Sequence, residues 1–490
     1  MMSDFQDHIS FVFEERIVNL DFKDQKNSPT LTILNFLRSL PNHKGVKEGC
    51  AEGDCGACTV VISELNNTGN LTYKAVNSCL VFLPMMHGKQ LITVEDLAER
   101  NGNSILLHPV QQALVNFNGS QCGYCTPGII MSMFALYKNY KNPSRAIIVD
   151  ALIGNLCRCT GYQSILKAAQ KATREIKPDK FSKHEKEIVS LLKKIKISSG
   201  SLSIITSGQK YFQPRSLSSC LEIIKKYPTA TLINGSTDIA LLQTKKYIKQ
   251  EEIIDLSALD ELKQFHATTR EITIGSGIPL EAVKESVKDI LPELFQVLQV
   301  FASKQIRYVA TLGGNIATAS PIGDSIPLLL AYNSKLKIIS KQDYRTISIE
   351  NFIKGYRKTS LGKNEIIHSI IIPRPKNVFI KFYKVSKRKD LDISTVSAGF
   401  RLGLKNNIVT DICLAFGGMA EMVRRAKFAE QQLLNNEWSV ENIMHAQNLL
   451  SKDFSPISDA RSTAEFRSDA AKNLLLKFYE ETKNKATSSR

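Results

Sequence analysis

KEGCAEGDCGACTVV, residues 47–61, sets Cys50, Cys55 and Cys58 within nine residues, separated by glycine, alanine and acids. A loop this rich in thiols and this poor in bulk is built to wrap something small. The wider chain supports that view. Of its ten cysteines, eight lie between Cys50 and Cys159, and only Cys220 and Cys413 fall beyond, as isolated core thiols. Clustered thiols in a reducing compartment mean metal or redox chemistry more often than disulfides. A cytoplasmic location is expected. The opening MMSDFQDHISFVF has acids where a secretory leader has lysines, and no run of eighteen uncharged apolar residues occurs, so no membrane span is expected. At 490 residues and 43% hydrophobic content the chain has material for several domains with true cores. Its net charge of +17 is spread along the length, with short runs such as Lys193-Lys194-Ile195-Lys196 and Lys387-Arg388-Lys389. No nucleic-acid motif accompanies them, so they read as solvated surface and no nucleic-acid partner is expected.

The spacing Cys50-x4-Cys55-x2-Cys58, completed by Cys79, is the plant-type ferredoxin pattern for a 2Fe–2S cluster. Gly49, Gly53 and Gly56 let the backbone approach closely and turn its N–H groups toward sulfur. Structural zinc, the competing reading, prefers paired CxxC units or a distant HxxxH and fits this glycine loop poorly. Around the loop, residues 9–22 read as a strand hairpin turning near Glu14-Glu15-Arg16, residues 31–40 as a helix, and 59–63 as a strand. Together they predict a small α+β domain over residues 1–88.

A second set follows in GSQCGYCTPG (119–128) and GNLCRCTGY (154–162): Cys122, Cys125, Cys157 and Cys159, a CxxC and a CxC. By spacing alone this suits zinc or iron–sulfur. Thr126-Pro127 and Thr160-Gly161 each precede an amphipathic run, with threonine as the expected cap. Both pairs are thus expected ahead of helix N-termini, where dipoles and free N–H groups favour thiolates. Apolar spacing over 104–175 predicts four helices, and a helical domain over 89–178.

Residues 179–207 read as a charged, then Ser/Gly-rich linker with a turn or two of helix. From 208 to 380 strands and helices alternate as in an α/β domain, and 381–490 reads as a final α+β unit. Two glycine turns stand out: PTATLINGSTDIALLQT (228–244) and Thr311-Leu312-Gly313-Gly314-Asn315. A strand–Gly–Ser/Thr–helix turn holds a diphosphate well, yet ordinary α/β turns look the same. Neither is GxGxxG, so a Rossmann nicotinamide site is not indicated. No Ser/His/Asp set, zinc-peptidase motif or P-loop is visible, and His87, His108, His184, His266, His368 and His445 stand alone. No catalytic acid or base is therefore expected; cofactors would carry the chemistry.

KEGCAEGDCGACTVV, QCGYCTPGIIMSM and GNLCRCTGYQSIL together resemble the iron–sulfur domains of the molybdenum hydroxylases. INGSTDIAL (233–241), FASKQIRYVATLGGNIATASPIGDSIP (301–327) and SDARSTAEFR (458–467) are similar to the flavin part of xanthine dehydrogenase, in its small, iron–sulfur and flavin subunit form. The resemblance runs from about residue 9 to 480. It implies a β-grasp ferredoxin domain, a four-helix 2Fe–2S domain, a vanillyl-alcohol-oxidase-like FAD domain and a C-terminal α+β domain. It implies two 2Fe–2S clusters and FAD on this chain, with NAD as acceptor. It also implies a molybdopterin-binding large subunit as partner, in a heterotetramer. Electrons from hypoxanthine or xanthine would pass through the Cys122 and Cys50 sets to FAD. By matching positions, Leu232, Ile233, Asn234, Gly235, Ser236, Thr237, Asp238 and Ile239, with Thr311, Leu312, Gly313, Gly314 and Asn315, would grip the FAD diphosphate. Phe301, Asp324, Ile367 and Lys384 would touch other parts of FAD, SKRKDLD (386–392) would form a mobile loop beside it, and Gln121 would meet the partner's pterin. An aldehyde- or nicotinate-oxidising relative, or a non-enzymatic zinc-binding interaction protein, are the alternatives.

Overall fold

The computed structural model describes residues 5–23, 27–102, 104–198 and 200–485. It divides into two compact units, Met1–Ala258 with Ala302–Ala310, and Leu259–Phe301 with Thr311–Arg490. Among the described residues no helix is long and apolar enough to cross a membrane.

The first unit opens with a five-stranded mixed sheet in the order Arg16–Asp21, His8–Phe13, Gln90–Ile92, Thr59–Leu65, Leu71–Asn77. The expected hairpin forms with Glu14 and Glu15 both at positive φ, which reverses the chain between alternating strands. Helix Ile33–Ser39 is started by Thr32, whose hydroxyl accepts from the Asn35 N–H at 3.2 Å. It lays Ile33, Leu34, Phe36 and Leu37 on the sheet, into one core with Phe11, Val60 and Leu91. Each such buried side chain contributes about 1.5–3 kcal/mol of transfer free energy.

The four predicted helices follow as Pro109–Asn116, Thr126–Asn139, Arg145–Leu152 and Gln163–Arg174. Thr126–Asn139 is apolar almost all round, and residues 128–137 are buried throughout; it is the central helix of the group. The stretch expected as a linker contains more structure than its composition suggested. Lys180–Lys183 forms one helical turn and Glu185–Ser198 a 14-residue helix. Ile188, Leu192 and Ile195 make an i, i+4, i+7 stripe that packs on Val12. The lysines and acids between them hid this stripe. A second sheet, ordered Phe5–Gln6, Ser201–Ile205, Lys210–Gln213, Glu252–Asp255, Thr231–Ile233, completes the unit.

The second unit holds two larger antiparallel sheets. One runs Phe265–Ala267, Glu271–Gly275, Ile366–Pro373, Lys335–Ile339, Tyr344–Ser348. The other runs Val378–Val385, Val396–Lys405, Ile408–Gly417, Arg424–Arg425. Helices Lys427–Leu433, Val440–Asp453 and Ala464–Thr482 cover the latter around Phe400, Phe416, Trp438 and Phe478. Residues 208–258 therefore belong to the first unit and 311–380 to the second.

Candidate functional site

The Cys50 loop is gripped at its base. Asn77, at the end of its strand, donates to Gly53 O at 2.7 Å, and the Ser78 hydroxyl donates to Cys58 O at 2.7 Å. This brings Cys79 from the next strand turn against Cys58. The N–H groups of Glu52 and Cys55 both point at Cys50 Sγ, at 3.4 Å. The thiols meet as two pairs, Cys50 with Cys55 and Cys58 with Cys79. The neighbouring Cys55 thiol, with the surrounding N–H groups, holds Cys50 down to about 5; Cys79 likewise holds Cys58 below its ordinary value. Cys58 and Cys79 are buried, Cys50 and Cys55 half-buried.

The second set also forms two pairs, Cys125 with Cys157 and Cys122 with Cys159. Burial, then the neighbouring Cys157 thiol, pushes Cys125 up to about 12. Burial acts upward on Cys157 too, but the Thr160 hydroxyl and nearby N–H groups outweigh it and hold that thiol down. The expected threonine caps are corrected. Cys125 itself occupies the cap position of Thr126–Asn139, and Thr126 pairs its hydroxyl with Ser120 at 2.7 Å. The cap of Gln163–Arg174 is Tyr162, at φ 68°, whose hydroxyl accepts from the Cys157 N–H at 2.8 Å. Thr160 meets Cys157 Sγ at 3.2 Å instead. One cysteine thus stands directly at a helix start and Cys159 three residues before another. Gln121, Cys122 and Cys159 are exposed.

Among the described residues, no three or more His, Cys, Asp or Glu groups converge to hold a metal ion. The pairwise spread of each thiol set suits a wider guest than one ion, because a 2Fe–2S core takes two ligands on each of its two irons.

The residues expected at FAD fall in both units. In the first, Leu232 and Ile233 end the strand Thr231–Ile233, Asn234 to Asp238 form the turn, and Ile239 opens the helix Ile239–Lys246. Gly235 sits at φ 91°, and a Cβ there would lie 1.8 Å from Val309 O, so no other residue fits. The Ser236 hydroxyl is committed to Leu80 O at 2.6 Å, tying this turn to the residue after Cys79. In the second unit, Thr311 caps the helix Leu312–Thr318 by accepting from Gly314 N–H at 3.1 Å. Gly313 lies against Ser276, with no room for a side chain. Asn315 accepts from the Ser325 hydroxyl at 2.6 Å. Asp324 accepts from Lys384 Nζ at 2.7 Å and from the Ser394 hydroxyl at 2.5 Å, and Lys384 also donates to Val300 O, beside Phe301. Ile367 is buried on a strand that packs on the Leu312–Thr318 helix. A cavity of about 470 Å³ next to Lys384 is lined also by Gln296, Phe382 and Lys389. Sequence reading missed Ser394, and it missed Asn155 and Gln305, whose hydrogen bonds reach across 99 and 150 residues.

Three family models match the chain: the [2Fe-2S] binding domain over residues 93–170, the FAD binding domain in molybdopterin dehydrogenase over 205–375, and the CO dehydrogenase flavoprotein C-terminal domain over 381–482. A xanthine dehydrogenase of Emericella nidulans is 34% identical over 98% of this chain and 39% of its own length. Xanthine dehydrogenase 1 of Arabidopsis thaliana is 31% identical over 92% of this chain and 38% of its own. The chain therefore spans about two fifths of the length of these curated relatives. Among solved structures, carbon monoxide dehydrogenase from Hydrogenophaga pseudoflava covers 56% of this chain and 96% of its own, with TM-score 0.53 at 22% identity. Quinoline 2-oxidoreductase from Pseudomonas putida 86 covers 56% of this chain and 97% of its own, with TM-score 0.52 at 23% identity. These two share the fold.

Proposed function

We propose that the chain, which is homologous to the N-terminal region of xanthine dehydrogenases, is an iron–sulfur and flavin part of the molybdenum hydroxylase family and the electron-transfer subunit of a xanthine dehydrogenase. In this reading Cys50, Cys55, Cys58 and Cys79 hold one 2Fe–2S cluster, and Cys122, Cys125, Cys157 and Cys159 hold another. When bound, the clusters supply one-electron and the flavin two-electron chemistry, which is what joining a molybdenum centre to NAD requires.

The chain's own residues have defined tasks. The cysteine pairs present two thiols to each side of a binuclear guest, and the N–H groups of Glu52 and Cys55 stabilise negative charge on Cys50. Each of the turns 232–239 and 311–315, within its own unit, offers backbone N–H groups at a helix start to phosphate oxygens. Asp324 fixes Lys384, so that an ammonium stays beside the flavin site while its charge is balanced. The exposed Gln121–Cys122 edge would meet the pterin of a molybdopterin-binding large subunit, in a cytoplasmic heterotetramer. The similarity to xanthine dehydrogenases over nearly the whole chain supports hypoxanthine and xanthine as the proposed substrates and NAD as the proposed acceptor.

The observation that carries the reading is the pairwise meeting of eight cysteines in two sets of four. Its test is elemental. The purified protein should be red-brown and contain about four irons, two per cluster, with matching acid-labile sulfide and one FAD. Colourless protein carrying zinc at these thiols would overturn it. Assay of the chain with its large subunit decides the substrate: NAD reduction driven by an aldehyde or nicotinate but not by xanthine would assign the chain to another molybdenum hydroxylase.

A further inference from the structure

The two cysteine loops meet along a seam that holds one fully bonded, buried side chain. Asn155 is 2% exposed and uses its whole hydrogen-bonding capacity. Its Nδ2 donates to Gly56 O and to Thr59 Oγ1, each at 3.1 Å. Its Oδ1 accepts from the Ser132 hydroxyl at 2.6 Å and from Gln305 Nε2 at 3.0 Å. Gly56 stands between Cys55 and Cys58; Asn155 stands two residues before Cys157. The next residue continues the seam, with Leu156 N–H donating to Cys55 O at 3.0 Å.

The space around this amide admits only glycine. A Cβ on Gly56 would lie 2.1 Å from Gly154 O, and one on Gly128 would lie 2.2 Å from Gly56 O. Three glycines, one on each cysteine loop and one on the central helix, therefore bring backbone against backbone around Asn155. This asparagine, carried on the second loop, gives both donors to the first loop and its strand and accepts from the central helix and from Gln305.

We propose that Asn155 is a positioning residue that locks the two cysteine loops into one block, and so fixes both the separation of the two thiol sets and the N–H groups that surround each. The proposal rests on the reading of those sets as cluster ligands. Electron tunnelling falls off exponentially with distance, and hydrogen bonds near the sulfurs tune potential, so a shared brace controls both properties at once.

Asn155→Asp keeps the size and the accepting oxygens but removes both Nδ2 donors. Potentiometric EPR on the full protein is the measurement. The expected result is a shift of both cluster midpoints and a changed low-temperature splitting between the two reduced clusters, with iron content kept. Unaltered signals at full iron content, or a change confined to one cluster, overturns the proposal. If Asn155→Asp does not take up iron, Ser132→Ala decides. It removes one hydrogen bond to Asn155 from the central helix and touches neither loop. A paired, smaller shift supports the brace, and two unchanged signals overturn it. Wild-type protein without two iron–sulfur signals would refute the cluster reading itself, a separate outcome from either.

Discussion

Replacing Cys55 by serine exchanges a soft thiolate for a hard hydroxyl while keeping the loop's size. In the geometry found here the Cys55 thiol faces Cys50 on its own loop, whereas the second set of thiols lies on two other segments. Cys55→Ser is therefore expected to abolish or markedly alter one of two EPR signals and leave the other. Loss of both together would count against two separate sites. At this scale much was legible. Cysteine spacing is local, so the loop that displays Cys50, Cys55 and Cys58 is written within one stretch. The partner thiols were inferred from pattern, and the strand turn beside Asn77 brings Cys79 to them. Asn155 was not legible as anything but a residue near cysteines, because what makes it special comes from residues 23 to 150 positions away.

Among elements, three helices, Pro109–Asn116, Thr126–Asn139 and Lys180–Lys183, are stitched together by one buried carboxylate. Asp179 caps Lys180–Lys183 through the Ser182 N–H at 2.7 Å, and accepts from Lys138 Nζ at 3.1 Å on the central helix. His108, which caps Pro109–Asn116 by accepting from Val110 N–H, meets Asp179 through its other ring nitrogen at 3.0 Å. That bonding assigns the proton to Nε2. Burial would raise the pKa of Asp179, but the His108 hydrogen bond, the Lys138 charge and the Ser182 N–H hold it well below the usual carboxylate range. The folded protein thus binds fewer protons here than the unfolded chain. The contribution is complete above the unfolded value, about 3.9, and is lost as pH falls below it toward the folded pKa. Asp179→Asn leaves the buried Lys138 uncompensated and should cost about 3–5 kcal/mol. The check is denaturant unfolding at pH 7 and near pH 3: the gap between wild type and variant should narrow in acid. A gap independent of pH would show that the carboxylate's charge is not what matters. His108 looked solitary in the sequence, because its partner is 71 residues on.

For the whole molecule, both cysteine sets lie in the first unit, and Trp438, the one tryptophan, lies buried in the second. Ligands that bind only the folded state stabilise the part that holds them. Stripping iron with a chelator and reductant should bleach the protein and lower the melting of the first unit, followed by circular dichroism. The midpoint followed by Trp438 fluorescence should hold. An equal fall in both would mean that the metal sites stabilise the second unit as well.

What the sequence determined by itself is what short-range chemistry dictates. It set the thiol spacings, the glycine turns at 234–236 and 313–314, and the helices whose apolar stripes stand clear of charge. The Glu185–Ser198 helix is longer than the turn or two expected there, because lysines obscured its stripe, although Ile188, Leu192 and Ile195 still pack on Val12. Only the tertiary structure decided which thiols pair, which residues cap the helices at the second set, and that one amide joins both loops. Those outcomes depend on groups far apart in the chain that compete for the same donors and the same space, and burial selects the arrangement in which each polar atom is satisfied.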